Sequence, residues 1–242
     1  MKLALRHACA MTLELMRFPA YVVPTLLLPS VFFLFFVPAG RPDDAAARMA
    51  TFAGFAVIGV AFFQFGVGIA ADRVSPWETY LRTLPVGPAT RLAARLLSAS
   101  VFALATSALL VATALVVTGA SLSPGRWAGL ALALLLGTVP FAFLGICIGY
   151  WAPARAALPL ANLLYLVLAY AGGLWIRPSV LPEAVRGVSR FLPTRALSDG
   201  LVTVVLAGAV DWRAWATLSC FSIIFAVLAV AGYRRDEGRR FS

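Results

Sequence analysis

Six apolar stretches of roughly 20 residues each run between Phe18 and Tyr233, and none carries a charge in its central portion. Segments of that length and purity cross a hydrocarbon layer as helices, because a helix satisfies its own backbone hydrogen bonds where water is absent. The expected fold class is an all-α integral membrane protein with spans at about Phe18–Val37, Ala50–Ala71, Leu92–Thr118, Trp127–Tyr150, Ala156–Ile176 and Trp212–Tyr233. With 62% hydrophobic and 12% charged residues, a soluble core under a polar surface cannot be built. Six spans and their loops use up the 242 residues, so residues 1–242 read as a single transmembrane domain.

The missing intramembrane charge also bears on the energy source. Carriers driven by ion gradients keep carboxylates or histidines at membrane depth, whereas the polar residues within these spans are Gln64, Asn162 and several serines and threonines. Gln64 and Asn162 either hydrogen-bond between helices or contact a transported substrate. Lys2 is the sole lysine, so this chain carries no Gly-x-x-x-x-Gly-Lys-[Ser/Thr] phosphate loop. His7 is the sole histidine, and all ten acidic residues lie in loops, in tails or at span ends, which argues against an embedded hydrolase or zinc site. Cys9, Cys147 and Cys220 are odd in number and far apart, and suggest neither a disulfide framework nor metal spacing. No catalytic, cofactor-binding or metal-binding residue is expected on this chain.

The net charge of +10 reads as topology rather than nucleic-acid binding, because the arginines sit at span ends. With both termini cytoplasmic, 12 of the 20 Lys and Arg residues fall inside, and five of the other eight share one long loop. Trp127, Trp151, Trp175, Trp212 and Trp215 fall at span ends, where an amphipathic ring is best accommodated. Residues 3–17, with Glu14 and Arg17 among leucines and methionines, suit an interfacial helix or else a polar tail. Before the last span, residues 182–208 predict an external helical hairpin whose second arm, capped by Thr194, is too short to cross and re-enters instead.

The loop between spans two and three is the most informative. Ser75 and Glu78 form a capping box, Pro76 suits a first helical position, and Pro85, Gly87 and Pro88 end the helix, predicted over 76–84. Trp77, Tyr80, Leu81 and Leu84 make one apolar stripe, with Glu78 and Arg82 pointing elsewhere. Such a helix either rests on the membrane surface or docks into a groove on a cytosolic partner. Elsewhere, Gly145 and Gly149 form a Gly-x-x-x-Gly pair that lets another helix approach closely.

With these motifs in order, the chain resembles the type-2 permeases of ATP-binding-cassette exporters over nearly its whole length. Glu14-Leu15-Met16-Arg17-Phe18-Pro19, with Tyr21 and Pro24, is similar to that family's interfacial helix and entry to the first span. Asp72-Arg73 followed by Leu81-Arg82-Thr83-Leu84-Pro85 is similar to its coupling-helix region, and Leu181-Pro182 to Leu192-Pro193-Thr194 to its proline-containing hairpin. Two positions depart from the usual pattern: Asp72 where glutamate is frequent, and Ser75-Pro76 where a glycine is frequent. The resemblance implies two permease subunits, identical or related, above two cytosolic nucleotide-binding ATPase subunits, with ATP and Mg held by the partner.

The combined expectation is the permease subunit of an ATP-driven exporter in the cytoplasmic (inner) membrane, in contact with lipid and not with nucleic acid. Trp77, Glu78, Tyr80, Leu81 and Arg82 would dock on the ATPase, and Gln64 and Asn162 would line the substrate path. Phenylalanine-rich spans favour an amphipathic or hydrophobic cargo such as a drug, antibiotic or lipid, with a polysaccharide still open. The alternatives are an ion-coupled secondary carrier and a non-transporting membrane scaffold.

Overall fold

A computed structural model describes residues 2–37, 42–76 and 88–238, and every regular element among them is helical. Helix α1 (Lys2–Met16) precedes α2 (Pro19–Phe36), which is the first span. The second span is built from α3 (Pro42–Ala61), a π-helical turn (Phe62–Val67) and α4 (Gly68–Asp72). Helices α5 (Pro88–Thr118), α6 (Pro124–Trp151) and α7 (Ala154–Ala171) follow. A short 3-10 turn (Pro178–Val180), α8 (Glu183–Ser189) and α9 (Pro193–Ala207) lead to α10 (Trp212–Gly238). Six of these segments are long and apolar enough to cross a membrane, so the protein is a multi-pass membrane protein.

The spans are not equivalent. The second is 83% buried over its most apolar window, against 50% for α6 and 17% to 28% for the other four. It is the axle of the bundle: α2, α5, α6, α7 and α9 all pack on it. Phe52, Phe55, Phe62 and Phe65 are fully enclosed along its length. These are ring-rich contacts of the kind that hold helices together where the hydrophobic effect does not act between them.

Small residues let that axle be approached. A methyl at Gly145 would stand 2.7 Å from the Ala61 carbonyl, and one at Gly149 would stand 2.8 Å from Ile69 Cβ. The Gly-x-x-x-Gly pair of α6 is therefore spent inside the subunit, against the π-turn and α4. Most span hydroxyls are satisfied just as locally: Thr113, Thr138, Thr217, Ser219 and Ser222 each donate to the carbonyl four residues back.

Among the boundaries that differ from expectation, two have identifiable reasons. Helix α7 stops at Ala171, short of Ile176, because Gly173 takes a left-handed φ of +77°. Leu174 N–H then bonds the Ala169 carbonyl (3.0 Å) and Gly173 N–H that of Tyr170 (3.1 Å), a Schellman closure. Helix α9 begins with Pro193 in its first turn and Leu192 as the N-cap, so Thr194 lies inside the helix and does not cap it. The Thr194 hydroxyl is buried without a hydrogen-bond partner among the described residues.

Helix α9 is 15 residues long, about 22 Å at 1.5 Å per residue, and it packs among α3, α6 and α10. Leu197 and Leu201 are enclosed there, and Leu201 reaches into the space left by Gly54. Helix α1 lies along the start of α5, joined by the Thr12 hydroxyl donating to Ser98 Oγ (3.0 Å). Leu3, Leu5, Leu13 and Met16 of α1 remain exposed. Helix α1 and the C-terminus of α10 share one end of the bundle, called here the terminal end; the opposite one is the far end.

Candidate functional site: a charged clamp at the terminal end

The clamp starts from the π-turn. In an α-helix, Gly68 N–H would bond the Gln64 carbonyl; here it bonds Phe63 O, one residue further back. The released Gln64 carbonyl accepts from Arg95 Nη1 of α5 at 2.6 Å. Gly68 makes room, since a methyl there would stand 2.6 Å from that same nitrogen. Arg95 Nη2 also pairs with the Asp72 carboxylate at the end of α4. One guanidinium thus ties the third span to the second at a backbone and a side-chain acceptor.

Arg73, the next residue, faces the other way. Its Nε donates to Asp236 Oδ1 of α10 at 2.8 Å, and Nη2 lies 2.6 Å from the same oxygen. Nη1 donates to the Gly149 carbonyl (2.8 Å) and the Ala152 carbonyl (3.3 Å) at the C-terminus of α6. A cation is well placed there, where unpaired carbonyls concentrate the negative end of the helix dipole. Asp236 is buried, and the Arg73 guanidinium also stands 5.8 Å over the Tyr150 ring. Beside it, Arg235 lies 4.9 Å over Trp151, whose indole N–H donates to Leu228 O at 3.0 Å. The pair Asp72-Arg73 thereby joins the second span to the third and sixth through two arginine-carboxylate contacts and to the fourth through helix-end carbonyls.

The chain leaves this clamp through turns closed by Val74 and Ser75 and reaches Pro76. Trp77, Glu78, Tyr80, Leu81 and Arg82, the expected docking residues, lie outside the described residues, as does the rest of the expected helix beyond Pro76. Glu14 and Arg17 are exposed at the end of α1 and just after it. Their helix meets α5 at Ser98, one turn from Arg95. Gln64 and Asn162 do not come together. Gln64 is buried beside the Tyr21 hydroxyl, and neither group makes a well-formed hydrogen bond among the described residues. Asn162 is exposed on the outer surface of α7.

Sequence reasoning missed the clamp because it treated Arg73, Arg95 and the 234–240 tail as topology markers. The available signal was that Asp72 and Asp236 lie at terminal-end positions alongside Arg73 and Arg95, so that pairing satisfies all four charges. Nothing in the sequence announced the π-turn except an amide in an aromatic run flanked by Gly66 and Gly68.

The profile of the ABC-2 family transporter proteins matches residues 43–234, from the first turn of the second span to the C-terminal helix. The chain belongs to the ABC-2 transporter family. A Bacillus subtilis (strain 168) protein named "Putative transport permease YvfS" is 25% identical over 230 residues, spanning 93% of this chain and 94% of that one. Asp72, Arg73 and Arg95 fall within the family match and Asp236 just beyond it. The clamp holds the ends of four spans together.

Proposed function

We propose that this chain is the permease subunit of an ATP-driven exporter, working as a pair of permeases above separate ATPase subunits that hold ATP and Mg. The observation that carries the reading is the placement of the clamp. Asp72-Arg73 bonds to four spans and lies directly before the 77–87 segment, so a displacement of that segment by a partner would be passed to all four. Trp77, Tyr80 and Leu81 supply the apolar anchor on the ATPase, and Glu78 and Arg82 set its register by charge. Helix α1, with Glu14 and Arg17, lies in the cytoplasmic interface of the inner membrane and adds a second contact. Both termini are cytoplasmic, and α8 and α9 form the external hairpin, with α9 re-entrant.

Exposed Asn162 supports a substrate path between two permeases: an amide left facing lipid is costly, and a second subunit or cargo would satisfy it. Buried Gln64, behind the first span, would join that path only when the spans part. The cargo is an amphipathic or hydrophobic molecule of the drug, antibiotic or lipid type. The test is to solubilise the tagged protein gently from its native membrane and assay it for a co-purifying ATPase. An ATPase recovered in about equal amount, and released by Arg82→Glu, supports the reading. Repeated recovery of the chain alone, with no associated hydrolysis, would move the weight to a carrier or scaffold.

A further inference from the structure

At the far end, a cleft of about 450 Å³ opens between α3, the 172–179 segment and α9. That volume is in the range of small-molecule sites, roughly 300–1,000 Å³. Its lining has two characters. Among the described lining residues, one side carries the guanidinium groups of Arg48, Arg177 and Arg195 and the carboxylate of Asp199. The other is apolar: the Trp175 ring, Val202 and the exposed side chain of Leu206. Trp175 is fixed by its neighbours, stacked on Phe36 at 5.9 Å and packed against Phe32 at 5.1 Å and Phe55 at 5.2 Å.

The arginines keep donors in hand. Arg195 uses Nε alone, shared between the two Asp199 oxygens at 2.9 and 2.8 Å, and Arg48 uses Nη1 alone, on the Phe36 carbonyl at 2.9 Å. The Nη1 and Nη2 groups of Arg195 and the Nη2 and Nε of Arg48 have no partner among the described residues. A planar guanidinium fork matches a phosphate or carboxylate, and the unused donors of Arg48 and Arg195 favour an anion there.

We propose that this cleft binds the anionic headgroup of an amphiphile, with its phosphate or carboxylate on Arg48 and Arg195 and its chain against Trp175, Val202 and Leu206. The same chemistry has two sources. One is an anionic phospholipid resident in the adjoining leaflet. The other is the transported cargo on its way out, a source that rests on the exporter reading.

The site can be tested on the permease alone, in neutral detergent, without an ATPase. Hexyl phosphate is titrated against hexyl glucoside and inorganic phosphate while tryptophan fluorescence and the thermal unfolding midpoint are followed. Saturable binding of hexyl phosphate is expected, at least tenfold tighter than either control. Arg48→Gln and Arg195→Gln should each weaken it about tenfold, and Arg186→Gln, outside the cleft, should not. Asp199→Asn should tighten it severalfold, a change that a poorly folded variant cannot imitate. Hexyl phosphate binding that matches hexyl glucoside, or that ignores Arg48→Gln and Asp199→Asn alike, overturns the proposal. Native mass spectrometry then separates the sources. Phosphatidylglycerol or cardiolipin retained by the wild type and lost from Arg48→Gln identifies resident lipid. Hexyl phosphate binding with no retained lipid identifies the cargo.

Discussion

The two ends of this bundle are held by different physics. At the terminal end, four spans are tied through arginines to carboxylates and helix-end carbonyls, contacts that are directional and few. At the far end, α9 is held among α3, α6 and α10 by enclosed leucines fitted against small residues, contacts that are many and undirected. A directional tie transmits displacement of one span to another until it breaks, whereas an apolar interlock lets surfaces slide and repack. The first arrangement suits a transmission and the second a hinge or lid. The seam between span two and span four, closed by Gly145 and Gly149, lies next to the clamp.

The largest effect is expected at that seam. Gly149→Val would press a branched side chain against Ile69 and the Phe65 carbonyl, which a methyl alone would meet at 2.8 to 2.9 Å. Backbone cannot yield as a side-chain tip can, so a loss of about 3 kcal/mol or more is expected, read as failure to recover a monodisperse peak on gel filtration. A normal yield and unfolding midpoint would show that the seam is looser than its geometry. At the far end, Leu201→Ala removes a fully enclosed side chain and should cost about 3 kcal/mol in reversible unfolding. If the ends differ as argued, that loss leaves the coupling of ATP hydrolysis to transport intact.

How much of this was legible beforehand follows the same division. Period and purity of the apolar runs expose the six spans, because lipid imposes length and composition on every one of them. The two helices α8 and α9 were readable from Pro182 and Pro193. The clamp was not, because its partners are far apart in the chain: Arg73 and Asp236 are separated by 163 positions. Their pairing depends on helix order, which charge statistics do not encode. The π-turn was hidden for another reason, since a one-residue shift in the hydrogen-bond ladder leaves the apolar pattern of Phe62 to Val67 unchanged. The Gly-x-x-x-Gly motif was readable as a close approach, but not as one made within the subunit.

Arg73→Ala tests the terminal end against Leu201→Ala. It removes the Arg73 contact from buried Asp236 and the donor to Gly149 and Ala152. Because the arginine side chain retains 22% exposure, the buried-pair penalty is discounted to about 2 kcal/mol, smaller than at the far end. Adding Asp236→Asn should recover part of it, by replacing a buried carboxylate with a neutral amide. The functional loss should run opposite to the stability loss: in vesicles reconstituted with the proposed ATPase partner, Arg73→Ala is expected to leave hydrolysis running without transport, while Leu201→Ala transports at reduced yield. Equal coupling in both variants would erase the distinction between the ends.

Tyr165→Phe should have the smallest effect, and it calibrates the others. Tyr165 lies between the ends on α7, enclosed, stacked on Phe55 at 4.4 Å with its ring nearly parallel, and its hydroxyl donates to the Phe55 carbonyl at 3.1 Å. Phenylalanine keeps the stack and loses one hydrogen bond, worth about 0.5–1 kcal/mol inside a membrane protein. The Phe55 carbonyl keeps its place in the helix ladder, so no stranded charge or broken span contact results. The expected outcome is a lowered unfolding midpoint with transport per ATP unchanged. If this one bond uncoupled the cycle as Arg73→Ala does, coupling would run through the axle as a whole, and the clamp would be only one of its attachments.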